Sequence, residues 1–224
     1  MKPDYKLVAK AKYIHTTADL ASELWHEVYK RYYPAKQLDT LVDTLQSADA
    51  IEEDIDNDVN YFLVLLGGKV IGYFAWKMEN TSLHLLHLYL KPEFRGKALG
   101  RDIVASCERL ARGEGRGRVW CTVHAKALPV QQFFKAKGYR LLGPAEEDET
   151  TRLPGQLIRW GILGQKPAVT ALTTPGFAGG ASFGHSGQGG IRHSLQPVGS
   201  FVHRIGQLGD FGEHIGFKHF QRAL

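Results

Sequence analysis

Residues 82–100, SLHLLHLYLKPEFRGKALG, constrain this chain more than any other stretch. The run is apolar through Leu90, breaks at Lys91-Pro92, turns through Glu93-Phe94-Arg95-Gly96-Lys97 and enters a helix near Gly100. Beyond it Ile103, Val104, Cys107, Leu110 and Ala111 repeat at helical spacing, so periodicity alone predicts the helix. A buried strand that feeds a glycine-bearing turn and then a helix start builds an anion cradle. The turn amides point at the ligand, and the first helical turn adds unpaired N–H groups with the positive end of its dipole. The stretch reads as the site for a pyrophosphate-containing ligand, with the rest of the chain as its support.

The flanking patterns describe that support. Residues 5–15 (YKLVAKAKYIH) read as a first strand, although their alternation is poor. Thr17 is placed to cap a helix with Leu20, Leu24, Val28 and Tyr32 at successive i+4 steps, and Pro34 closes it. A second helix carries Leu38, Leu41, Val42 and Leu45. A further turn with Ile51 and Ile55 follows, overlapping the acidic cluster Glu52, Glu53, Asp54, Asp56 and Asp58. Tyr61 to Leu66 and Lys69 to Trp76 are strands joined by Gly67-Gly68, a hairpin signal because both turn positions need positive φ. Leu83 to Leu90 is the next strand, after a turn at Asn80-Thr81. The predicted order is strand, two helices, three antiparallel strands, helix, strand, helix, strand, with QLIRWGIL (156–163) as a candidate final strand.

Composition bounds the partners. The 224 residues are 43% hydrophobic and 11% aromatic, enough for a packed core, and the formal charge is +5. That charge sits late: residues 151–224 hold seven Lys/Arg against Asp210 and Glu213, leaving 21 basic and 21 acidic residues in 1–150. A neutral folded part argues against a nucleic-acid footprint. The two cysteines, Cys107 and Cys121, fall on a helix face and within a strand, as small core residues. Without a disulfide framework, a signal peptide or a long apolar span, the chain reads as a cytoplasmic protein. From Lys166 the composition shifts, and 15 of 25 glycines lie after residue 150. Such a segment buries too little apolar surface to offset its ordering entropy, so disorder is expected through at least residue 200. A shifted reading frame from about codon 150 would give the same change.

The residues also resemble a family. LYLKPEFRGKALGRDI is similar to the acyl-CoA-binding motif of the GNAT N-acetyltransferases, whose core pattern is Q/R-x-x-G-x-G/A. Arg95 and Gly100 match it, and Ala98 stands where the family has its first glycine. Phe133-Phe134-x-x-x-Gly138-Tyr139 resembles the family's F-Y-x-x-x-G-F segment at the right distance, and the likeness covers roughly residues 5–145. It implies an α/β fold of the GNAT type: a mixed, mostly antiparallel twisted sheet flanked by helices, as an N-acetyltransferase domain over 1–165. A Gly-rich, low-complexity C-terminal tail, 166–224, follows. It further implies acetyl-CoA as co-substrate and no metal. Backbone groups of Leu88, Tyr89 and Leu90 are expected to hold the pantetheine arm, and amides of Arg95, Gly96, Lys97, Ala98, Leu99 and Gly100 the pyrophosphate.

Direct acetyl transfer from a thioester needs a neutral amine, a stabilised oxyanion and a departing thiolate that can take a proton. The family's usual general acid, a tyrosine, falls on Phe134, and its asparagine falls on Ala127. His84, on the central strand, is the candidate base, with an imidazole that titrates near pH ~6.5 when free. His87 is expected on the opposite face by alternation, and His124 is a third candidate. For each, a hydrogen-bonded histidine on a half-buried strand is the competing reading. Trp25, His26, Tyr29, Tyr32 and Tyr33 are either a pocket for a cationic amine or an aromatic core stripe. Residues 18–58 loosely resemble the polyamine-type members. The expected activity is acetylation of a primary amine on a small molecule or polyamine, and the alternative is a CoA-binding module of this fold with little or no catalysis. The expected acceptor is a small-molecule amine, with no nucleic-acid or membrane partner, and a homodimer is compatible with the fold.

Overall fold

The structure is a computed structural model that describes residues 2–145 and 157–163. In chain order the elements are β1 (Asp4–Leu7), α1 (Ala11–Tyr29), α2 (Ala35–Leu45), α3 (Ala48–Asp56), β2 (Val59–Leu66), β3 (Lys69–Met78) and β4 (Ser82–Leu90). A 3-10 turn (Pro92–Phe94), α4 (Leu99–Gly113), β5 (Arg118–His124), α5 (Leu128–Ala136), β6 (Arg140–Pro144) and β7 (Leu157–Leu163) complete it. The strands form one sheet in the order β1-β2-β3-β4-β5-β7-β6. Every neighbouring pair is antiparallel except β4 and β5, which run parallel. This is the mixed α/β sheet flanked by helices that the sequence implied.

Two apolar layers cover the sheet. On one face Phe62, Phe74, Trp76, Leu83 and Leu85 pack against Ile103, Val104, Cys107 and Leu110 of α4. On the other, Tyr61, Leu63, Tyr73 and Ala75 meet Ile14, Leu20, Ala21 and Leu24 of α1 and Ile51 of α3. At ~25 cal/mol per Å2 of apolar surface, each buried large side chain here contributes about 1.5–3 kcal/mol. The hairpin between β2 and β3 turns through Gly67 (φ 59°) and Gly68 (φ 77°), as the glycine pair required. Among the described residues no helix is long and apolar enough to cross a membrane.

Several boundaries differ from the sequence reading. The first strand stops at Leu7, and residues 11–15 begin α1 instead. Ile14, Thr17, Leu20, Ala21, Leu24, Trp25 and Tyr29 are its buried positions, a helical stripe that starts earlier than Leu20. Thr17 is therefore interior and caps nothing: its hydroxyl donates to the Tyr13 carbonyl at 2.7 Å. The turn around Ile51 and Ile55 is a nine-residue helix, capped by Ser47 Oγ accepting from the Ala50 amide at 3.2 Å. The acidic cluster begins on this helix. Strand β7 is inserted between β5 and β6, pairing with β5 from Arg118↔Leu163 to His124↔Leu157. Ile158, Trp160 and Ile162 alternate onto the α4 face of the core. The tail, 166–224, lies outside the described residues.

One irregularity in β4 changes which way its side chains face. Ala75 pairs with His87, yet its neighbour Trp76 pairs with Leu85, so Leu86 is an extra residue in the ladder. His84 opposes Lys77 and His87 opposes Ala75, two positions apart on β3. Both histidines consequently face the α1 side, and the opposite-face expectation for His87 fails because simple alternation does not survive a bulge.

Candidate active site

The site begins where the two parallel strands part. β4 and β5 pair from Ser82↔Arg118 to Leu85↔Cys121 and no further. β4 then runs on through Leu90 and β5 through His124, their facing backbone edges diverging from the bulge onward. A cavity of about 810 Å3 occupies this wedge. Its walls are Leu86, Leu88, Tyr89 and Leu90 from β4, and Thr122, Val123 and His124 from β5. Phe133 and Phe134 of α5 and Glu27, Tyr29 and Tyr32 from the α1 side contribute further lining.

The cradle closes one end of the cavity. After the 3-10 turn, Gly96 (φ 74°) and Ala98 (φ 65°, ψ −7°) both take left-handed backbone and swing the chain into α4. The first α4 bond is from Asp102 N to Ala98 O at 3.1 Å, so the amides of Leu99, Gly100 and Arg101 precede the helical ladder. Such amides, with the helix dipole behind them, form an anion site. Ala98 thus holds the unusual φ that its glycine-to-alanine departure brought into question.

Charged side chains frame the cradle. Arg95 donates through Nε to the Leu90 carbonyl at 2.8 Å and through Nη2 to Glu27 Oε2 at 2.5 Å. This second bond holds the Glu27 carboxyl below its ordinary range. Lys91 pairs with Glu23 at 3.0 Å, giving α1 two ionic ties to the segment that follows β4. Leu88, Tyr89, Leu90, Arg95, Gly96, Ala98, Leu99 and Gly100 all line the cavity, whereas Lys97 does not and lies 5.3 Å over the Phe94 ring. Arg101 lines it too, and sequence reasoning missed it. The available signal was its position one residue past Gly100, in the first turn of the helix.

The three histidines occupy different environments. His84 is 3% exposed, lies in the closed part of the β4–β5 pair and is not among the cavity-lining residues. It stacks on Trp120 at 3.5 Å between ring centroids, with Nδ1 4.0 Å from Glu79. Glu79 in turn accepts from Trp120 Nε1 at 2.9 Å and from the Ser82 hydroxyl. His87 sits among Trp25, Tyr61, Tyr73 and Tyr89, with Gln46 Nε2 3.4 Å from its Nε2. Burial, aided by His84, pushes its imidazole down to about 3, so it is neutral at physiological pH. His124 lines the cavity, stacks on Tyr32 at 4.5 Å, and is held below its ordinary value by burial and by Lys126.

The aromatic cluster of α1 and the segment after it divides. Trp25 and Tyr33 are core residues, and Trp25 Nε1 donates to Tyr73 OH at 2.9 Å, which donates onward to Gln46 Oε1 at 2.7 Å. Tyr29 and Tyr32 reach the cavity, where the Tyr29 and Tyr89 hydroxyls hydrogen-bond at 2.8 Å. His26 is outside it, paired with Asp39 at 2.9 Å. Asp54 of the acidic run accepts from Tyr61 OH at 2.6 Å, and burial raises its carboxyl. Phe134 and Ala127, both nearly buried, line the same cavity. Among the described residues no group of three or more His, Cys, Asp or Glu is placed to hold a metal ion.

Known proteins share the family pattern and the fold. Residues 22–139 match the model of the Acetyltransferase (GNAT) family. The chain is 23% identical to the spermidine N(1)-acetyltransferase of Thermoplasma acidophilum over 133 residues, 57% of this chain and 83% of that protein. The crystal structure of PaiA N-acetyltransferase from Thermoplasma acidophilum, in complex with coenzyme A, superposes with TM-score 0.60 at 19% identity, covering 71% of this chain and 98% of that one. The ribosomal-protein-S18-alanine N-acetyltransferase of Escherichia coli has a TM-score of 0.54 at 12% identity, covering 75% and 98%. The splayed strands, the positive-φ turn and the free amides of α4 fit a coenzyme A diphosphate and arm. The chain belongs to the GNAT acetyltransferase family, as an acyltransferase whose co-substrate is acetyl-CoA.

Proposed function

We propose that the protein acetylates a primary amine of a small molecule or polyamine by direct transfer in a ternary complex. The observation that carries this reading is the parting of β4 from β5 beyond Leu85 and Cys121, over a cavity that ends on the α4 amides. Cradle amides from Gly96 to Arg101 take the diphosphate, and the freed β4 edge from Leu86 to Leu90 takes the acyl arm. A backbone N–H on that edge is preorganised to meet negative charge on the acetyl oxygen in a site shielded from water. The acceptor side is the α1 face. There Tyr29, Tyr32 and Tyr89 present ring surface to a cation, and the acidic run around α3 biases the approach toward positively charged amines. Likeness to a spermidine acetyltransferase supports the same substrate class.

Proton removal from the amine runs to water in this scheme. His84 lies away from the cavity wall, and His87 is too weak a base at about 3 to take a proton near neutral pH.

The test has two steps. Acetyl-CoA titrated into the full chain should raise the melting temperature saturably, because a ligand that binds only the folded state stabilises it by mass action. Coenzyme A release should then depend on a polyamine, with simple alkyl amines weaker and an N-terminal alanine peptide inert. Turnover with the peptide and none with amines would overturn the substrate class. A melting temperature indifferent to acetyl-CoA would overturn the site.

A further inference from the structure

His124 has a set tautomer and a place on the cavity wall. It ends β5, three residues beyond Cys121, the last position that pairs with β4. Its ring stacks on Tyr32 and meets Tyr33 at 5.9 Å with an interplanar angle of 88°, so two rings from the segment after α1 fix its plane. The Lys126 backbone N–H donates to Nδ1 at 3.1 Å. A nitrogen that accepts this bond carries no proton, so the hydrogen of the neutral ring resides on Nε2. Nε2 has no hydrogen-bond partner among the described residues. Adding a proton at Nδ1 would set two donors against each other, and burial and the nearby Lys126 oppose the cation as well. The titratable and charged groups around the ring are Tyr32, Tyr33 and Lys126, with Arg31 on the same cavity wall.

We propose that His124 Nε2–H is the hydrogen-bond donor to the sulfur that leaves during acetyl transfer. It would serve where Phe134 and Ala127 offer no side-chain hydrogen. The inference rests on the acetyl-transfer reading above. In the step, the amine lone pair forms the C–N bond to the acetyl carbon, and the C–S bond breaks with its electron pair remaining on sulfur. The surplus amine proton goes to water, and the thiolate later takes one from water. His124 gives up no proton, since that would leave an imidazole anion; it stabilises the thiolate through a charge-assisted hydrogen bond. The competing donors are Tyr29 and Tyr89, whose hydroxyls share one hydrogen bond that leaves a single O–H between them, which the Tyr89→Phe comparison below tests.

The experiment compares calorimetric binding of CoA and desulfo-CoA, which lacks the thiol, to the full chain from about pH 7 to about pH 9, across the ordinary thiol range. CoA should gain on desulfo-CoA as pH rises, because the donor favours the thiolate. His124→Ala should lose that gain by roughly tenfold, and His124→Gln, which keeps an N–H donor, should retain most of it. Desulfo-CoA binding should stay unchanged in both variants. In turnover, His124→Ala should lower kcat with the acetyl-CoA KM within about twofold, and adding Phe134→Tyr should restore much of the loss. No pH-dependent gain in the wild type, an undiminished gain in His124→Ala, or a loss produced by Tyr89→Phe instead would overturn the proposal. Imidazole nitrogen resonances of the wild type need no variant: a protonated Nδ1 overturns it too. A thiol preference without any amine turnover would sink the acetyl-transfer reading alone, and turnover without the preference would sink this donor alone.

Discussion

Ala98 holds φ 65° immediately before α4, in a region where an L-residue is strained by contact between Cβ and its own carbonyl. That strain is about 1–2 kcal/mol, and the larger unfolded-state entropy of glycine offsets about 0.4–1 kcal/mol of what its removal returns. Ala98→Gly should therefore stabilise the chain by roughly 0.5–1 kcal/mol, a rise of about 1–4 °C in melting temperature for a protein of this size. Because Ala98 lines the cavity beside the free amides, losing its methyl should leave acetyl-CoA affinity equal or improved. Thermal melts of the two proteins with and without acetyl-CoA measure both quantities. A lower melting temperature for Ala98→Gly would show that the left-handed turn is not strained. The departure from glycine was legible in the sequence, since a motif position with an unexpected methyl raises the question of φ directly. The relative facing of His84 and His87 was not. It depends on one inserted residue, Leu86, and a bulge leaves no mark in the alternation of an apolar strand.

At the scale of elements, α1 is fastened to the cradle by Glu23–Lys91 and Glu27–Arg95. Both pairs are partly exposed, so each contributes only about 0–1 kcal/mol to stability. Their larger effect is on the ligand, because Glu27 places a carboxylate on the lining of the cavity proposed to take the phosphates. Glu27→Gln removes that charge, while Arg95 keeps its bond to the Leu90 carbonyl. Acetyl-CoA should bind about two- to fivefold more tightly, and the difference should shrink at high salt, where a separation near the Debye length is screened. Weaker binding would instead show that Glu27 orients Arg95 for the phosphates. The cradle was readable because strand, turn and helix start are contiguous between residues 82 and 100. The opposite wall was not, for it joins Tyr29 to Tyr89 and Tyr32 to Lys126 across 60 and 94 residues. Pattern within a window cannot show which distant aromatics become core, as Trp25 and Tyr33 do, and which reach a cavity.

For the whole molecule, the question is how much chain the catalytic unit needs. The sheet places β7 in its interior, between β5 and β6, although it comes last of the described strands. Trp160 on β7 is buried in the α4-side core, and an added Cβ at Gly161 would lie 2.7 Å from the Leu142 side chain, so β6 and β7 pack closely. A domain boundary at 165 keeps every described element, and a boundary at 150 removes a strand from inside the sheet. The two truncations should behave oppositely. Residues 1–165 should melt within about 2 °C of the full chain, the shift expected for losing less than about 1 kcal/mol, and should keep the full response to acetyl-CoA. Residues 1–150 should lose the cooperative transition, since the β5 edge and the apolar faces of Ile158, Trp160 and Ile162 go unfilled. A large drop for 1–165 would assign residues 166–224 a place in the folded unit and move the boundary past 165. Equal melting of 1–150 and 1–165 would mean that the sheet closes without β7.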